Sequence, residues 1–466
     1  MIRDGSRGKA KSVPLLGTLL LLAPEPSLIV VSGALLVLAF PSFNLSFLAY
    51  TGFVPLFFAI EGKSPKKIFF SSCAAGLIFY LGALYWLYHV TVIGMIIACF
   101  YLAVYFGIFG IAISRFGILS APIVWVVLEY LQAHIPIMGF GWLSLGYSQY
   151  KNLPLIQIAD FSGVYGVSFV VMMVNVAIYR AFKKSFRETI IAALVLIAVF
   201  GYGTMRGNEM GYRNDVKVSV IQGNIPQELK WDPESQDMII EKYTALTKMA
   251  TLENADLIVW PETSFPGFFE IDEELTEKVL TLAREIKTPL LIGVNTEEDE
   301  KYFNSAALIS PEGNMTDKYD KTHLVPFGEY VPFSNKFPVL HKLVLGELGE
   351  FTPGKAFKIF KLKADFGVLI CFEDIFPEIS GKLVNSGAKF LIVITNDAWY
   401  GKSGAAFQHA ANSVFRAVEN RVPVVRCANT GVSCFIDSKG RIYDSISEKN
   451  SHLFITGYKT AVVNIK

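Results

Sequence analysis

The chain has 466 residues, of which 52% are hydrophobic, and a formal net charge of +1. This length exceeds what a single core usually fills, so two or more domains are expected. The near-zero charge, without a basic stripe carrying aromatic residues after Gly207, argues against a nucleic-acid partner. Five cysteines and six scattered histidines show neither metal-ligand spacing nor an obvious disulfide framework, so we expect no metal site and no cofactor.

The apolar residues are concentrated before Gly207, which indicates a membrane domain. We predict two domains, a membrane domain at 1–206 with about seven transmembrane helices and a second domain at 207–466. The predicted spans are Val13–Phe40, 44–60, Ile68–Val90, Thr91–Ile113, Gly117–Ile135, Leu155–Tyr179 and Thr189–Met205.

Basic residues determine the expected orientation of these spans. The amino end, the loop at 61–67 and the loop at 180–187 are rich in lysine and arginine, so all three are expected in the cytoplasm. A cleaved signal peptide ending near 24–27 would also begin this way, but it leaves an odd number of crossings between two cytoplasmic segments. The second domain therefore faces the exterior.

Two features of the membrane part are functional candidates. Glu129 lies inside a predicted span, where a carboxylate is costly unless it is paired or faces a polar cavity. His134 is either its partner or a residue of the membrane interface. The loop at 139–149 is rich in glycine and aromatic residues, and an interfacial aromatic belt explains it as well as a binding role does.

After Gly207 short strands alternate with helices, a pattern that predicts a layered α/β domain. The predicted helices are Gln236–Leu252, Glu273–Ile286 and Gln408–Asn420. The predicted strands are Val216–Gln222, Leu257–Trp260, Leu290–Val294, Ala306–Ile309, Gly367–Ile370, Phe390–Thr395, Pro423–Arg426 and Ser433–Asp437.

Three segments of this second half carry reactive side chains. An apolar strand ends at Cys371, followed by two acids, which suggests a nucleophile at a strand end. A free cysteine is more often a small buried hydrophobe. A second apolar strand ends at Trp260-Pro261-Glu262, where Glu262 is a candidate base. Between them lie Lys321 and, eight residues on, Glu329, although a lone lysine is usually solvated surface.

The order Trp-Pro-Glu, Lys with Pro-Phe-Gly-Glu, and Cys-Phe-Glu resembles the Glu-Lys-Cys set of the nitrilase superfamily over about 215–466. The resemblance implies an αββα sandwich with Glu262, Lys321 and Cys371 as catalytic residues. A thiol with a pKa of about 8.5 needs a nearby base, here Glu262. Lys321 and the N–H of Phe372 would stabilise the oxyanion. Glu329 would hold Lys321 charged and in place.

With the loop at 139–149 and the segments 157–160 and 163–166, the resemblance extends to apolipoprotein N-acyltransferases. It implies an enzyme of the bacterial inner membrane with a periplasmic catalytic domain. Cys371 would take an acyl chain from a phospholipid as a thioester and pass it to the amine of a diacylglyceryl-cysteine lipoprotein. The residues expected to contact substrate are Trp231, Tyr330, Phe372, Glu373 and Trp399, with Tyr400 beside them. For Trp231 a place in the core is the alternative.

Two departures from that family affect the expectations. No membrane span follows the second domain here, which implies tethering on one side only, and Phe372 stands where the family often has tyrosine. Two other functions remain open. One is a membrane-tethered amidase or nitrilase that uses water as the acceptor, and the other is a non-catalytic lipid-binding protein of the same fold.

Overall fold

The computed structural model describes residues 24–207, 214–332, 350–449 and 451–465. The described residues before 208 are almost entirely helical, as their apolar composition predicts. The helices are α1 (Glu25–Ala39), α2 (Val54–Ile60), α3 (Pro65–Ala83), α4 (Val92–Phe116), α5 (Ala121–His134), α6 (Leu153–Ile156), α7 (Ala159–Phe182) and α8 (Arg187–Gly207).

Three of these helices, α4, α7 and α8, are long and apolar enough to cross a membrane. At 1.5 Å per residue the 25 residues of α4 extend about 37 Å, more than the hydrocarbon thickness of a bilayer. Within α8 only Ala192 and Gly203 are buried, and one face of the helix exposes large apolar side chains such as Ile190, Leu194 and Ile197, as lipid contact requires. The membrane character is confirmed. The count of about seven spans stays a prediction, and 13–23 of the first span lies outside the described residues.

The predicted span at 44–60 is not a continuous helix. It consists of a 3₁₀ turn at Ser46–Tyr50 and the seven-residue α2, which is too short to cross a bilayer. Asn175 of α7 accepts a hydrogen bond from the N–H of Phe53 and donates one to the carbonyl of Ala49. A polar side chain thus satisfies the backbone groups that the break exposes. Because α2 is buried on nearly all sides, its apolar residues pack against protein rather than lipid.

The second half consists of strands and helices in alternation. Its helices are α9 (Gln236–Thr251), α10 (Glu273–Ile286), α11 (Pro377–Asn385) and α12 (Ala405–Asn420). Its strands are β1 (Asn214–Gln222), β2 (Leu257–Val259), β3 (Leu290–Glu298), β4 (Lys301–Ile309), β5 (Met315–Asp320), β6 (Ile359–Phe360), β7 (Phe366–Ile370), β8 (Phe390–Thr395), β9 (Val424–Ala428), β10 (Cys434–Ile436), β11 (Ile442–Ser445) and β12 (Gly457–Ile465).

The strands form two six-stranded sheets, ordered β12-β1-β2-β3-β4-β5 and β11-β10-β9-β8-β7-β6. Apolar side chains from both sheets form one core between them. Helices α9 and α10 cover the outer face of the first sheet, and α11 and α12 cover that of the second. This arrangement is an αββα sandwich behind a helical membrane domain, so the predicted fold class is confirmed.

Every predicted strand and helix of this half is present, within a few residues of its predicted ends. The predicted strands did not include β5, β6, β11 and β12, which are the four edge strands of the two sheets, and the nine-residue helix α11 was not predicted. The sequence of β5, Met-Thr-Asp-Lys-Tyr-Asp, has no apolar run to mark it as a strand. It is a strand because β4 supplies its hydrogen-bonding partner.

The membrane helices pack directly on the second sheet's helical layer, since one apolar cluster includes residues of both. Gln408, which is 3% exposed on α12, is the central polar contact of this junction. Its side-chain oxygen accepts hydrogen bonds from the indole N–H groups of Trp86 and Trp142, both at 3.0 Å. Its amide nitrogen donates to the carbonyls of Pro41 and Ala83, both at 2.9 Å. All four bonds join the catalytic half to the membrane half.

The loop at 139–149 belongs to the same junction. Trp142 is 1% exposed and its ring lies 4.9 Å from that of His409 on α12. An interfacial aromatic belt therefore does not explain this tryptophan, which packs against protein. A second contact lies at Gly163, whose φ of 60° breaks α7, and the next N–H, of Val164, donates to Glu419 of α12.

Candidate active site

Cys371 lies where β7 ends, as the sequence predicts. It begins a 3₁₀ turn, Cys371–Ile375, which we call the Cys371 turn. Its φ of 52° is in the left-handed region, which a residue with a side chain rarely adopts. The surrounding structure must hold this conformation, and the thiol is 6% exposed.

A buried polar network lies beneath the Cys371 turn. Nε2 of His409 is 3.2 Å from the carbonyl oxygen of Cys371, and Nδ1 is 3.0 Å from Asp397. Arg426 joins Asp397 at 3.1 Å and Asp374 at 3.3 Å. These four side chains are at most 1% exposed, and the positive charge of Arg426 is shared between the two acids.

Glu262 follows β2 in the first sheet and approaches the same place from the opposite sheet. One carboxylate oxygen accepts from Asn304 at 2.9 Å and from Lys321 at 3.4 Å. The other accepts from the main-chain N–H of Asn396 at 2.9 Å, just after β8 of the second sheet. The carboxylate of Glu262 therefore lies between the two sheets and accepts hydrogen bonds from groups on both of them.

Lys321, directly after β5, is 1% exposed. Its ammonium lies 2.9 Å from Glu329 and 3.4 Å from Glu262. Burial alone would lower the pKa of Lys321, but the two carboxylates outweigh it and raise the pKa above its ordinary value. Asn304 donates to both acids, at 2.9 Å and 2.8 Å. We call Glu262, Lys321 and Glu329 the charged cluster.

The thiol itself is held protonated. Burial raises the pKa of Cys371 well above its usual range, and the carboxylate of Glu262 raises it further. The ammonium of Lys321 and a hydrogen bond with Thr395 act in the opposite direction. The thiol therefore needs a proton acceptor before it can attack, and Glu262 is the acid whose charge acts on it most.

The other predicted substrate residues have different surroundings. Trp399 is 46% exposed, Trp231 and Tyr330 are half-buried, and Phe372 is buried with its ring 5.3 Å from that of Phe376. The ring of Tyr400 lies 4.5 Å from that of Trp86, so Tyr400 connects the site to the membrane half.

Glu373 is fully buried, in contrast with the predicted contact to substrate. One carboxylate oxygen accepts from Tyr319, from the hydroxyl and N–H of Thr322 and from the N–H of His323. The other accepts from the N–H of Ile370 at 2.9 Å. Glu373 thus ties the Lys321 segment to the residue before Cys371.

Three residues that sequence reasoning missed complete the site. Asn304 and Asn396 hold the carboxylate of Glu262, and Lys230 donates to the main-chain carbonyl of Glu262 at 3.1 Å. The signal in the sequence was weak, since Asn304 is one of three polar residues in the mostly apolar strand β4. Lys230 lies beside Trp231, which the family resemblance implied as a substrate contact.

The two membrane candidates are not partners of each other. Glu129 accepts from the indole of Trp125 at 2.8 Å and from the N–H of Leu145 at 2.6 Å. His134 instead lies 3.7 Å from Glu378 of α11. Among the described residues no group of three or more histidine, cysteine or acidic side chains has the arrangement of a metal site.

A thiol, an ammonium and a carboxylate at the strand ends of a two-sheet sandwich, joined to apolar helices, define a membrane-attached protein of the carbon-nitrogen hydrolase class. Family models agree in both halves. The model for the apolipoprotein N-acyltransferase N-terminal domain matches residues 32–177, and that for carbon-nitrogen hydrolase matches residues 217–462.

The chain belongs to the apolipoprotein N-acyltransferase family. A relative of that name from Geobacter metallireducens is 40% identical over 89% of this chain and 85% of its own length. Another, from Chlorobaculum tepidum, is 32% identical over 88% of this chain and 86% of its own. A solved carbon-nitrogen hydrolase from Helicobacter pylori G27 superposes with a TM-score of 0.42 at 16% identity, covering 54% of this chain and 89% of that one.

Proposed function

We propose that this protein transfers an acyl chain from a phospholipid to the N-terminal amine of diacylglyceryl-cysteine lipoproteins through a thioester on Cys371. The observation that carries the proposal is the meeting of Cys371, Glu262 and Lys321 in a domain packed on membrane helices. Donor and acceptor are both lipid-anchored, so a site held at the bilayer reaches them without extracting either. The names of the relatives support the same acceptor.

The first half-reaction begins with Glu262 taking the thiol proton. The thiolate attacks the ester carbonyl of the donor, and the resulting oxyanion lies against the ammonium of Lys321 and the N–H of Phe372. The intermediate then expels the lysophospholipid oxygen, which receives the proton from Glu262. The products are a thioester on Cys371 and a lysophospholipid, and Glu262 is again ionised.

In the second half-reaction the acceptor amine attacks the thioester. Glu262 removes the amine proton and returns it to the departing sulfur, which restores the thiol. Glu329, which lies 2.9 Å from Lys321, keeps the ammonium charged through both steps. Glu373 positions the Lys321 segment against the Cys371 turn by its hydrogen bonds to both.

The proposed location is the bacterial inner membrane, with the catalytic domain on the outer side. Lysines and arginines in the loops at 61–67 and 180–187 support a cytoplasmic position for those loops. A reporter that is active only outside the cytoplasm, fused after Lys466, should be active. A signal from a cytoplasm-only reporter at that position would reverse the orientation.

The central test is to incubate the purified protein with a phospholipid carrying a labelled acyl chain. We expect label on Cys371 in a hydroxylamine-sensitive bond, and its transfer to a diacylglyceryl-cysteine peptide when one is added. Release of free fatty acid at the same rate with or without the peptide would indicate a hydrolase instead. No label on Cys371 and no turnover would indicate a non-catalytic lipid-binding protein.

A further inference from the structure

The catalytic half contains a second buried lysine that the proposed mechanism does not use. Lys230 follows the 3₁₀ turn Gln227–Leu229 in the connection from β1 to α9 and is 2% exposed. Its ammonium donates to the carbonyl oxygen of Glu262 at 3.1 Å and to that of Thr263 at 3.0 Å. Both acceptors are main-chain atoms at the base that the mechanism requires.

The backbone at Glu262 needs such support. Thr263 has a φ of 49°, in the left-handed region that side-chain-bearing residues avoid. Gly293 of β3 is so close that a Cβ there would lie 2.3 Å from the carbonyl oxygen of Pro261 and 2.6 Å from Cα of Glu262. The segment is therefore in contact with both the backbone of Gly293 and the ammonium of Lys230.

The segment that carries Lys230 is itself anchored to the second sheet. Gln227 accepts a hydrogen bond from the side chain of Asn396 at 2.7 Å, and the N–H of Asn396 donates to the carboxylate of Glu262. Ile225 is bonded to Asn429 through both its N–H and its carbonyl. Through Lys230, the backbone of Glu262 is therefore linked by hydrogen bonds to the second sheet.

Burying the ammonium of Lys230 costs free energy of folding, because both of its hydrogen-bond acceptors are neutral carbonyl oxygens. Burial lowers the pKa of Lys230 to about 7, and the carboxylate of Glu262 opposes this shift. Either protonation state keeps at least two N–H donors, so both bonds can persist whether or not the amine is charged. A buried lysine without a carboxylate partner does not stabilise the fold, so stability does not explain why a lysine is at this position.

We propose that Lys230 is a positioning residue for catalysis, which aims the carboxylate of Glu262 at the thiol by holding the main-chain carbonyls of Glu262 and Thr263. This inference rests on the proposed function, in which Glu262 is the base. Displacement of a base by about 1 Å lowers a rate by roughly 100-fold, so we expect a loss of that order in thioester formation. The affinity for the donor should change little, since Lys230 is buried and its hydrogen bonds go to main-chain carbonyls of the Glu262 segment.

The test is a double-mutant cycle of Lys230→Met and Glu262→Gln, with single-turnover thioester formation as the readout. Rates are measured from an activated ester at the alkaline pH where Glu262→Gln is fastest. If Lys230 acts through Glu262, Lys230→Met slows the wild type but adds little to Glu262→Gln. Lys248→Met on α9 is the matched control, since Lys248 pairs with Glu285 on the surface and its loss should have no effect.

The outcomes separate the two hypotheses. An unchanged rate in Lys230→Met, or the same fold-loss in both backgrounds, overturns the role of Lys230 and leaves Glu262 as the base. A rate in Glu262→Gln that is unchanged from the wild type at neutral pH overturns the proposed mechanism itself. Thermal unfolding and the donor KM are measured on each variant. Should Lys230→Met not fold, Lys230→Gln, whose neutral amide nitrogen ends one bond short of the lysine ammonium, takes its place in the cycle with the same expectations.

Discussion

The two sides of the active site are supported by different physical means. On the first sheet, Glu262, Lys321 and Glu329 form the charged cluster, in which each charge is held by an opposite charge or a side-chain amide. On the second sheet, Cys371 is held through its backbone, by a left-handed φ and by the contact of His409 with its carbonyl. Electrostatic contacts thus hold the residues of the charged cluster in place, whereas backbone conformation holds Cys371 in place.

Residues that are equally buried can therefore differ in how strongly a substitution at or near them disturbs the site. A side-chain network fails when one member is replaced, because the remaining charges lose their partners. A backbone turn fails when its supports are removed, even if the reactive residue is untouched. The following substitutions test that distinction, in order of decreasing expected effect.

Cys371→Ala removes the proposed nucleophile and should lower acyl transfer on the order of 10⁴-fold or more. Cys371→Ser should retain almost nothing, since a hydroxyl is far harder to ionise than a thiol. Both variants should unfold at the temperature of the wild type. Transfer of a labelled acyl chain measures the effect, and Cys73→Ala in the membrane half is the control that should keep full activity. Normal turnover by either Cys371 variant would rule out the thioester.

Glu262→Gln and Lys321→Met should each slow thioester formation by roughly 100-fold or more, but with different pH dependence. Without Glu262 the thiol loses its base, and rising pH removes the proton instead, so the rate climbs. Because burial raises the pKa of Cys371, the climb should continue above about pH 9, beyond the usual thiol value. Lys321→Met lacks the charge that meets the oxyanion and should gain less.

The measurement for this pair is the single-turnover rate against pH with an activated ester as donor. The acyl-enzyme is trapped and quantified at each pH. If Glu262→Gln gains no more from rising pH than Lys321→Met does, Glu262 is not the base.

Gly293→Ala displaces the backbone of Glu262 without removing any residue of the charged cluster. The new Cβ would lie 2.3 Å from the carbonyl of Pro261, so the backbone of Glu262 must move. We expect a loss of roughly 10- to 100-fold in thioester formation with both catalytic charges still present. Gly457→Ala on β12 is the control, because its Cβ would meet only Ile446, at 3.8 Å. Equal rates in the two variants would show that Glu262 tolerates displacement.

His409→Ala tests the thiol side and should have the smallest effect. It removes the contact with the Cys371 carbonyl and one partner of Asp397, while Arg426 still compensates the acid. A loss of about tenfold is expected, the size of one buried hydrogen bond. His452→Ala, half-buried and near β11, is the matched control. A loss as large as that of Lys321→Met would mean that the two sides are not supported differently.

Much of the catalytic half was predictable because its strands are short apolar runs ended by proline or acids. The segments of Glu262 and Cys371 were located at strand ends for that reason, and both lie there. The segment that carries Lys321 was harder to assign to a strand end, since β5 has no apolar run and forms only beside β4. The segment expected to span at 44–60 forms a 3₁₀ turn and a short buried helix instead of one continuous helix, and hydropathy does not distinguish a helix in lipid from apolar chain packed in protein.

The sequence by itself determined the division into an apolar helical half and an α/β half, because composition and periodicity are local properties. It also determined the family and the order of Glu262, Lys321 and Cys371 along the chain. Only the tertiary structure decided which groups surround them. The bonds of Lys230, Asn304, Asn396 and Gln408 join residues tens to hundreds of positions apart. Such contacts depend on how two sheets and a helical bundle pack, and no local pattern encodes that packing.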